Sequence, residues 1–198
     1  MKTKFNSQLA MFSITLFTVL FVAVSCNVNK KTSQQDELTD VSQAEVKPPK
    51  IDIHTAVVTG NIDAVKQHIA AGSNLNEKDP FGGSSPLISA SVFDKPDVAR
   101  VLIDAGVDLN FQNNDGSTAL HTAAFFCRPE IVRMLLDKGA DKTIRNKYGA
   151  TPYEMVAGPF SETKNGYDMI GKMLSPMGLK LDYVYIEKTR PEIAAILK

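Results

Sequence analysis

The sequence predicts an all-α solenoid of about four helix-turn-helix units, joined by hairpin loops and followed by a C-terminal helical cap. Two observations predict it. Glycines recur at a nearly fixed period: Gly72, Gly106 and Gly139 are 34 and 33 residues apart, and Gly83, Gly116 and Gly149 are 33 and 33 apart. The words between them recur as well, with two short helical patterns in each unit. A period in this range marks stacked supersecondary units, none of which can bury its apolar face alone.

The units run over 51–79, 80–112, 113–145 and 146–160 onward. The second helix of each is the clearer one. Val98, Val101 and Leu102 fall at i, i+3, i+4, as do Ile131, Met134 and Leu135. Ser85 or Thr118 can cap the first helix, with Pro86 or Pro152 at its first position. Gly72, Gly106 and Gly139 stand where the second helix must end in a left-handed residue. Ala90, Ala123 and Ala124 are small where helices must approach closely.

The third unit reads Asn113-Asn114-Asp115-Gly116-Ser117-Thr118-Ala119-Leu120-His121-Thr122-Ala123-Ala124, then Glu130-Ile131-Val132-Arg133-Met134-Leu135-Leu136 and Gly139-Ala140-Asp141. The second carries Ser85-Pro86-Leu87-Ile88-Ser89-Ala90, the fourth opens on Gly149-Ala150-Thr151-Pro152-Tyr153, and the first keeps Asn61-Ile62-Asp63-Ala64-Val65. These words resemble the ankyrin repeat over residues 51–160. Departures stand out. One extra residue lies around Asp79-Pro80-Phe81-Gly82. The glycine that separates the two helices is present as Gly60 but becomes Asp94 and Cys127 in the next units. A left-handed cysteine would be strained there, so a modified turn is the alternative. The pattern is lost after Ala157, at Gly158-Pro159.

Residues 1–25 have the form of a targeting segment: Lys2 and Lys4 precede an apolar run from Leu9 to Val24. Ala23-Val24-Ser25-Cys26 resembles a bacterial lipoprotein signal with a relaxed box, which implies cleavage before Cys26, its lipidation, and attachment to the membrane facing the periplasm. Soluble secretion and an uncleaved anchor are the alternatives. Asn27 after the cysteine favours the outer membrane. Residues 26–50 form a polar tether ending in Pro48-Pro49.

Residues 161–198 are expected to form the helical cap. Tyr167, Ile170 and Leu174 share a helical spacing, Ser175-Pro176-Met177-Gly178 stops that helix, and Thr189-Arg190-Pro191-Glu192 reads as a capping box for a last one. Residues 181–188 fit helix or strand.

The chain has 22 basic and 22 acidic residues; losing Lys2 and Lys4 leaves a net charge of −2. No basic stripe points to nucleic acid. With Cys26 lipidated, Cys127 stands alone and is expected to be a partly buried turn residue. His121, and His54 in the equivalent place, are expected to bond backbone groups near the neighbouring loop, and His68 to be solvated. No metal, phosphate-loop or nucleophile motif occurs, so no catalytic residue and no cofactor are assigned, and the expected state is a non-catalytic monomer.

The resemblance implies binding through hairpin tips and the exposed face of the first helices. Carried over by position, the tips are Phe81, Asn114, Asp115, Lys147 and Tyr148; the helix-end sites are Val92, Phe93, Phe125 and Phe126. Two other readings of the helix-end group stand beside this: one residue of each pair tucks between helices, or the C-terminal cap or the tether lies across the groove. The functions implied are a membrane-tethered protein-binding module, an inhibitor or immunity-type protein for a periplasmic enzyme or toxin, or a redox or stress accessory acting through Cys127.

Overall fold

Asp52, Asn61, Ser85 and Thr118 each open a helix by accepting a hydrogen bond from the backbone N–H three residues on. The computed structural model describes residues 46–198; the signal segment, Cys26 and the tether up to residue 45 lie outside the described residues. The helices are α1 (Ile53–Thr59), α2 (Ile62–Ala70), α3 (Pro86–Val92), α4 (Pro96–Asp104), α5 (Ala119–Phe125), α6 (Pro129–Asp137), α7 (Glu154–Ala157), α8 (Phe160–Leu174) and α9 (Tyr183–Leu197). No strand occurs among the described residues, and none of the helices described is long and apolar enough to cross a membrane.

The helices stack in two layers. One is formed by α1, α3, α5 and α7 in succession, the other by α2, α4, α6 and α9. Leu87, Ala90, Val98, Leu102, Leu120, Ala123, Ile131 and Leu135 fill the space between them, all buried. This is the fold expected from the repeat: an ankyrin-repeat solenoid, all helical. Gly72, Gly106 and Gly139 are left-handed as expected. So are Asp94 (φ 52°) and Cys127 (φ 54°), in the place of Gly60 (φ 73°). The turn is therefore not remodelled; the strained conformation is kept, at a cost of about 1–2 kcal/mol for each side chain.

The C-terminal region differs from an appended cap. Helix α9 packs beside α6 and against α7, the place of the second helix of the fourth unit. The ion pair from Arg100 on α4 to Glu130 on α6 (2.8 Å) is repeated from Arg133 on α6 to Glu192 on α9 (2.7 Å). Arg190-Pro191-Glu192-Ile193 thus repeats Arg128-Pro129-Glu130-Ile131, but 62 residues later rather than 33. Helix α9 thus supplies a second helix to the fourth unit, whose first helix, α7, is cut to four residues, and α8 lies between them in the chain. The capping box at Thr189 does not form: α9 begins earlier, at Tyr183, where Asp182 accepts from the Tyr185 N–H (3.0 Å). Residues 183–188 are helix.

Two histidines depart from expectation. His68 is buried, with Nδ1 bonded to Ser73 (3.0 Å) and Nε2 to the Ile51 carbonyl (2.9 Å), which fixes the entry to α1. His54 has both ring nitrogens buried without a hydrogen-bond partner among the described residues. The cap of α1 has slipped by one residue, to Asp52. Thr55 therefore takes the third helical position and bonds Asp52 (2.6 and 2.9 Å), leaving His54 out of the arrangement that His121 makes.

Candidate partner-binding surface

Each hairpin is organised by one side chain. Asn113 Oδ1 accepts the N–H groups of Asp115 (3.0 Å) and Ser117 (2.9 Å). Asn146 Oδ1 accepts those of Tyr148 (3.0 Å) and Ala150 (3.1 Å). In the lengthened first hairpin a carboxylate takes this role: Asp79 accepts from Phe81 (2.7 Å), Gly82 (2.7 Å) and Ser84 (2.8 Å). Burial alone would push the Asp79 carboxyl up; the three N–H groups outweigh it and hold it below its ordinary value. The hairpins close at 79–84, 113–117 and 146–150, so the extra residue expected from the sequence lies inside the first.

Adjacent tips are tied to one another. The Asn114 N–H donates to the Gly82 carbonyl (2.9 Å) and the Lys147 N–H to the Asp115 carbonyl (2.8 Å). A Cβ on Gly116, itself at φ +72°, would stand 3.1 Å from the Lys147 backbone nitrogen, so glycine is what permits the approach. The result is one edge on which Phe81, Asn114, Asp115, Lys147 and Tyr148 are all exposed, Phe81 by 84% and Tyr148 by 77%.

The helix-end group is not a row of exposed anchors. Phe126 is 4% exposed. Phe125 lies under Tyr167 of α8, the rings stacked 4.1 Å apart, and meets Phe126 edge-on at 5.1 Å. Val92 and Phe93 are half-buried. Phe125 and Phe126 are thus corrected from partner contacts to packing residues. For Phe125 the physical reason is the insertion, whose Tyr167 ring covers it; Phe126 is buried beside Phe125.

Tyr167 and Arg190 are the residues that sequence reasoning missed here. The Tyr167 hydroxyl donates to the Phe125 carbonyl and accepts from Arg190 Nη1 (3.1 Å). In the preceding unit Arg128 Nη2 reaches the corresponding Val92 carbonyl directly (3.4 Å). The recurrence of Arg-Pro-Glu-Ile was the signal that could have shown it.

The side chains most capable of chemistry are engaged in structure. His121 Nδ1 lies 3.2 Å from the Thr118 N–H, and its Nε2 bonds the Ala150 carbonyl of the next hairpin (3.0 Å). Burial lowers its pKa. Cys127 is fully buried, and burial pushes its thiol up to about 11 despite Arg190 and Arg128 nearby. A neutral, enclosed thiol is a poor nucleophile.

Comparison with known proteins agrees with the fold. Residues 53–146 match the family model for ankyrin repeats in three copies, and this segment of the chain consists of ankyrin repeats. Among curated proteins, the chain is 36% identical over 77 residues to protein phosphatase 1 regulatory subunit 27 of Homo sapiens, covering 38% of this chain and 49% of that protein. It is 33% identical over 69 residues to the DNA-binding protein RFXANK of Homo sapiens, covering 35% of this chain and 26% of that one. The matches span less than half the length of these relatives. Among solved structures, the ankyrin repeat domain of Bcl-3 is similar at 31% identity with a TM-score of 0.51, over 52% of this chain and 45% of that one.

Proposed function

We propose that the chain is a non-catalytic protein-binding module whose contact surface is the edge of hairpin tips. The observation that carries this is the exposure of Phe81 and Tyr148 at 84% and 77% on tips held in register by backbone hydrogen bonds. Aromatics held rigidly in solvent supply contact area at low entropic cost. Asn114, Asp115 and Lys147 between them provide polar groups of both signs to select the partner. Ankyrin repeats generally serve protein–protein binding, and one relative is named a regulatory subunit, which favours a regulatory partner such as an enzyme held inhibited.

In this reading Cys26 carries lipid and the repeats face the periplasm as a monomer, on the support of the signal-like segment in the sequence. Labelling of the chain by radioactive palmitate, lost in Cys26→Ala, is the expected result. The binding surface is tested by crosslinking in cells with Phe81→Ser/Tyr148→Ser beside the unaltered chain. One dominant partner, lost in the variant while the helical circular dichroism spectrum is unchanged, is expected. Retention of that partner by the variant would dismiss the tip surface.

A further inference from the structure

Arg190 is 3% exposed and forms no ion pair with any carboxylate among the described residues. Its Nη1 donates to the Tyr167 hydroxyl (3.1 Å) and its Nη2 to the Gly158 carbonyl (3.0 Å). Its Nε is buried without a partner. Only part of the guanidinium's fork of N–H donors is therefore used, and both acceptors are neutral. A buried charge that lacks a counter-charge is costly.

The repeat explains how the charge came to stand alone. In the preceding unit Arg128 pairs with Asp94, the left-handed residue between the two helices (3.3 Å). The residue corresponding to Asp94 for Arg190 is Cys127, whose thiol is neutral and cannot replace the carboxylate. Arg190 also lines an open cleft of about 390 Å³ between α7, the start of α8 and α9, with Lys198 a second cation on its wall. Its walls include Tyr153, Val156, Phe160 and Ala194. Glu187, one turn earlier on α9, lines the same cleft but is exposed and makes no pair with Arg190.

We infer that this cleft is a binding site for a carboxylate on an apolar stem, with Arg190 as its anchor. A planar carboxylate matches the fork of a guanidinium, and a buried setting strengthens the bond. Tyr153 and Phe160 offer the stem aromatic and apolar walls. Two sources carry this chemistry: a small organic acid, and the free C-terminus of a peptide chain. The site is separate from the hairpin tips and does not depend on their role.

The test is titration of the full ¹⁵N-labelled chain, following the Arg190 Nε–Hε and Gly158 amide resonances. The probes are sodium benzoate, sodium acetate, and a short peptide ending in phenylalanine with a free or an amidated C-terminus, against sodium chloride at matched ionic strength. Saturable shifts with benzoate, weaker with acetate, are expected. Tighter binding of the free-acid peptide than of benzoate assigns the site to a chain end, and the reverse order assigns it to a small acid; the amidated peptide should not bind. Arg190→Lys should weaken binding by about tenfold, since the fork is lost. Should that variant not fold, Ala194→Glu places a carboxylate one turn from Arg190 on α9 and should both abolish binding and raise the melting temperature. Shifts no larger than those in chloride, or binding unchanged in Ala194→Glu, would overturn the inference.

Discussion

His121 is a single residue on which two units depend. Its Nδ1 accepts from the Thr118 N–H, so its Nε2 must carry the proton that reaches Ala150 across the unit boundary. Burial is the leading cause of its lowered pKa, opposed by bonds to the Ala150 and Ile144 backbone. The sign follows from linkage. A folded pKa below the ordinary 6.5 means the unfolded chain takes the proton first. His121 therefore contributes stability in full above pH 6.5, and loses it as pH falls from there through the folded value. The carboxyls held low, those of Asp52, Asp79 and Asp141 among them, act only below their ordinary value of 3.8 and so occupy a separate window. Melting temperature measured from about pH 7.5 to about pH 5 should decline in the unaltered chain and decline less in His121→Gln. The role of His121 was legible in the sequence because it sits inside a repeated word. That of His54 was misjudged because spacing alone does not show a cap that slips by one residue.

At the scale of elements, α8 is an insertion that the preceding repeats accommodate. Its only fully buried residue is Tyr167, which stacks on Phe125 and joins Arg190 to the Phe125 carbonyl. Burial pushes the Tyr167 hydroxyl up to about 12, so it remains a donor throughout the neutral range. Tyr167→Phe keeps the stacked ring and removes the hydroxyl, leaving a carbonyl and an N–H without their partner. Denaturant unfolding should show a loss of about 1–3 kcal/mol. The ladder of surface ion pairs marks register more than it supplies energy. Arg133 and Glu192 are each about half exposed, so a double-mutant cycle should give a coupling of about 1 kcal/mol or less. The helices of the first three units were legible through capping residues, the proline at N1 and glycine after the last turn. Helix α9 was placed wrongly because its proline, which begins α4 and α6, here lies within a helix extended backward to Tyr183. The exposed placement of Phe81, Asn114, Asp115, Lys147 and Tyr148 at the hairpin tips was legible from the repeated words on either side of them. The covering of Phe125 was not, since it depends on Tyr167 of a helix distant in sequence that carries no repeat word.

Among the described residues, each unit packs on its neighbours, and stability is distributed as local terms plus interfaces. The middle of the array has an interface on both sides. The fourth unit has a neighbour on one side, and an open cleft rather than a packed unit lies between its two helices and α8. Opening should then begin at the C-terminal end and leave the hairpin edge of the first units intact. Ile193 and Leu120 make the comparison direct, since both are completely buried, one in α9 and one in α5. Replacing either by alanine should cost about 2–5 kcal/mol locally. Native-state hydrogen exchange is expected to separate them. Ile193→Ala should speed exchange in α7 and α9 while the amides of α1 and α2 stay protected. Leu120→Ala, lying between two interfaces, should speed exchange on both sides of it, in α3 and α7 alike. Uniform acceleration over all helices in both variants would show a single cooperative unit. In that case a partner gripping Phe81 and Tyr148 would stabilise the entire array rather than the units that carry those tips.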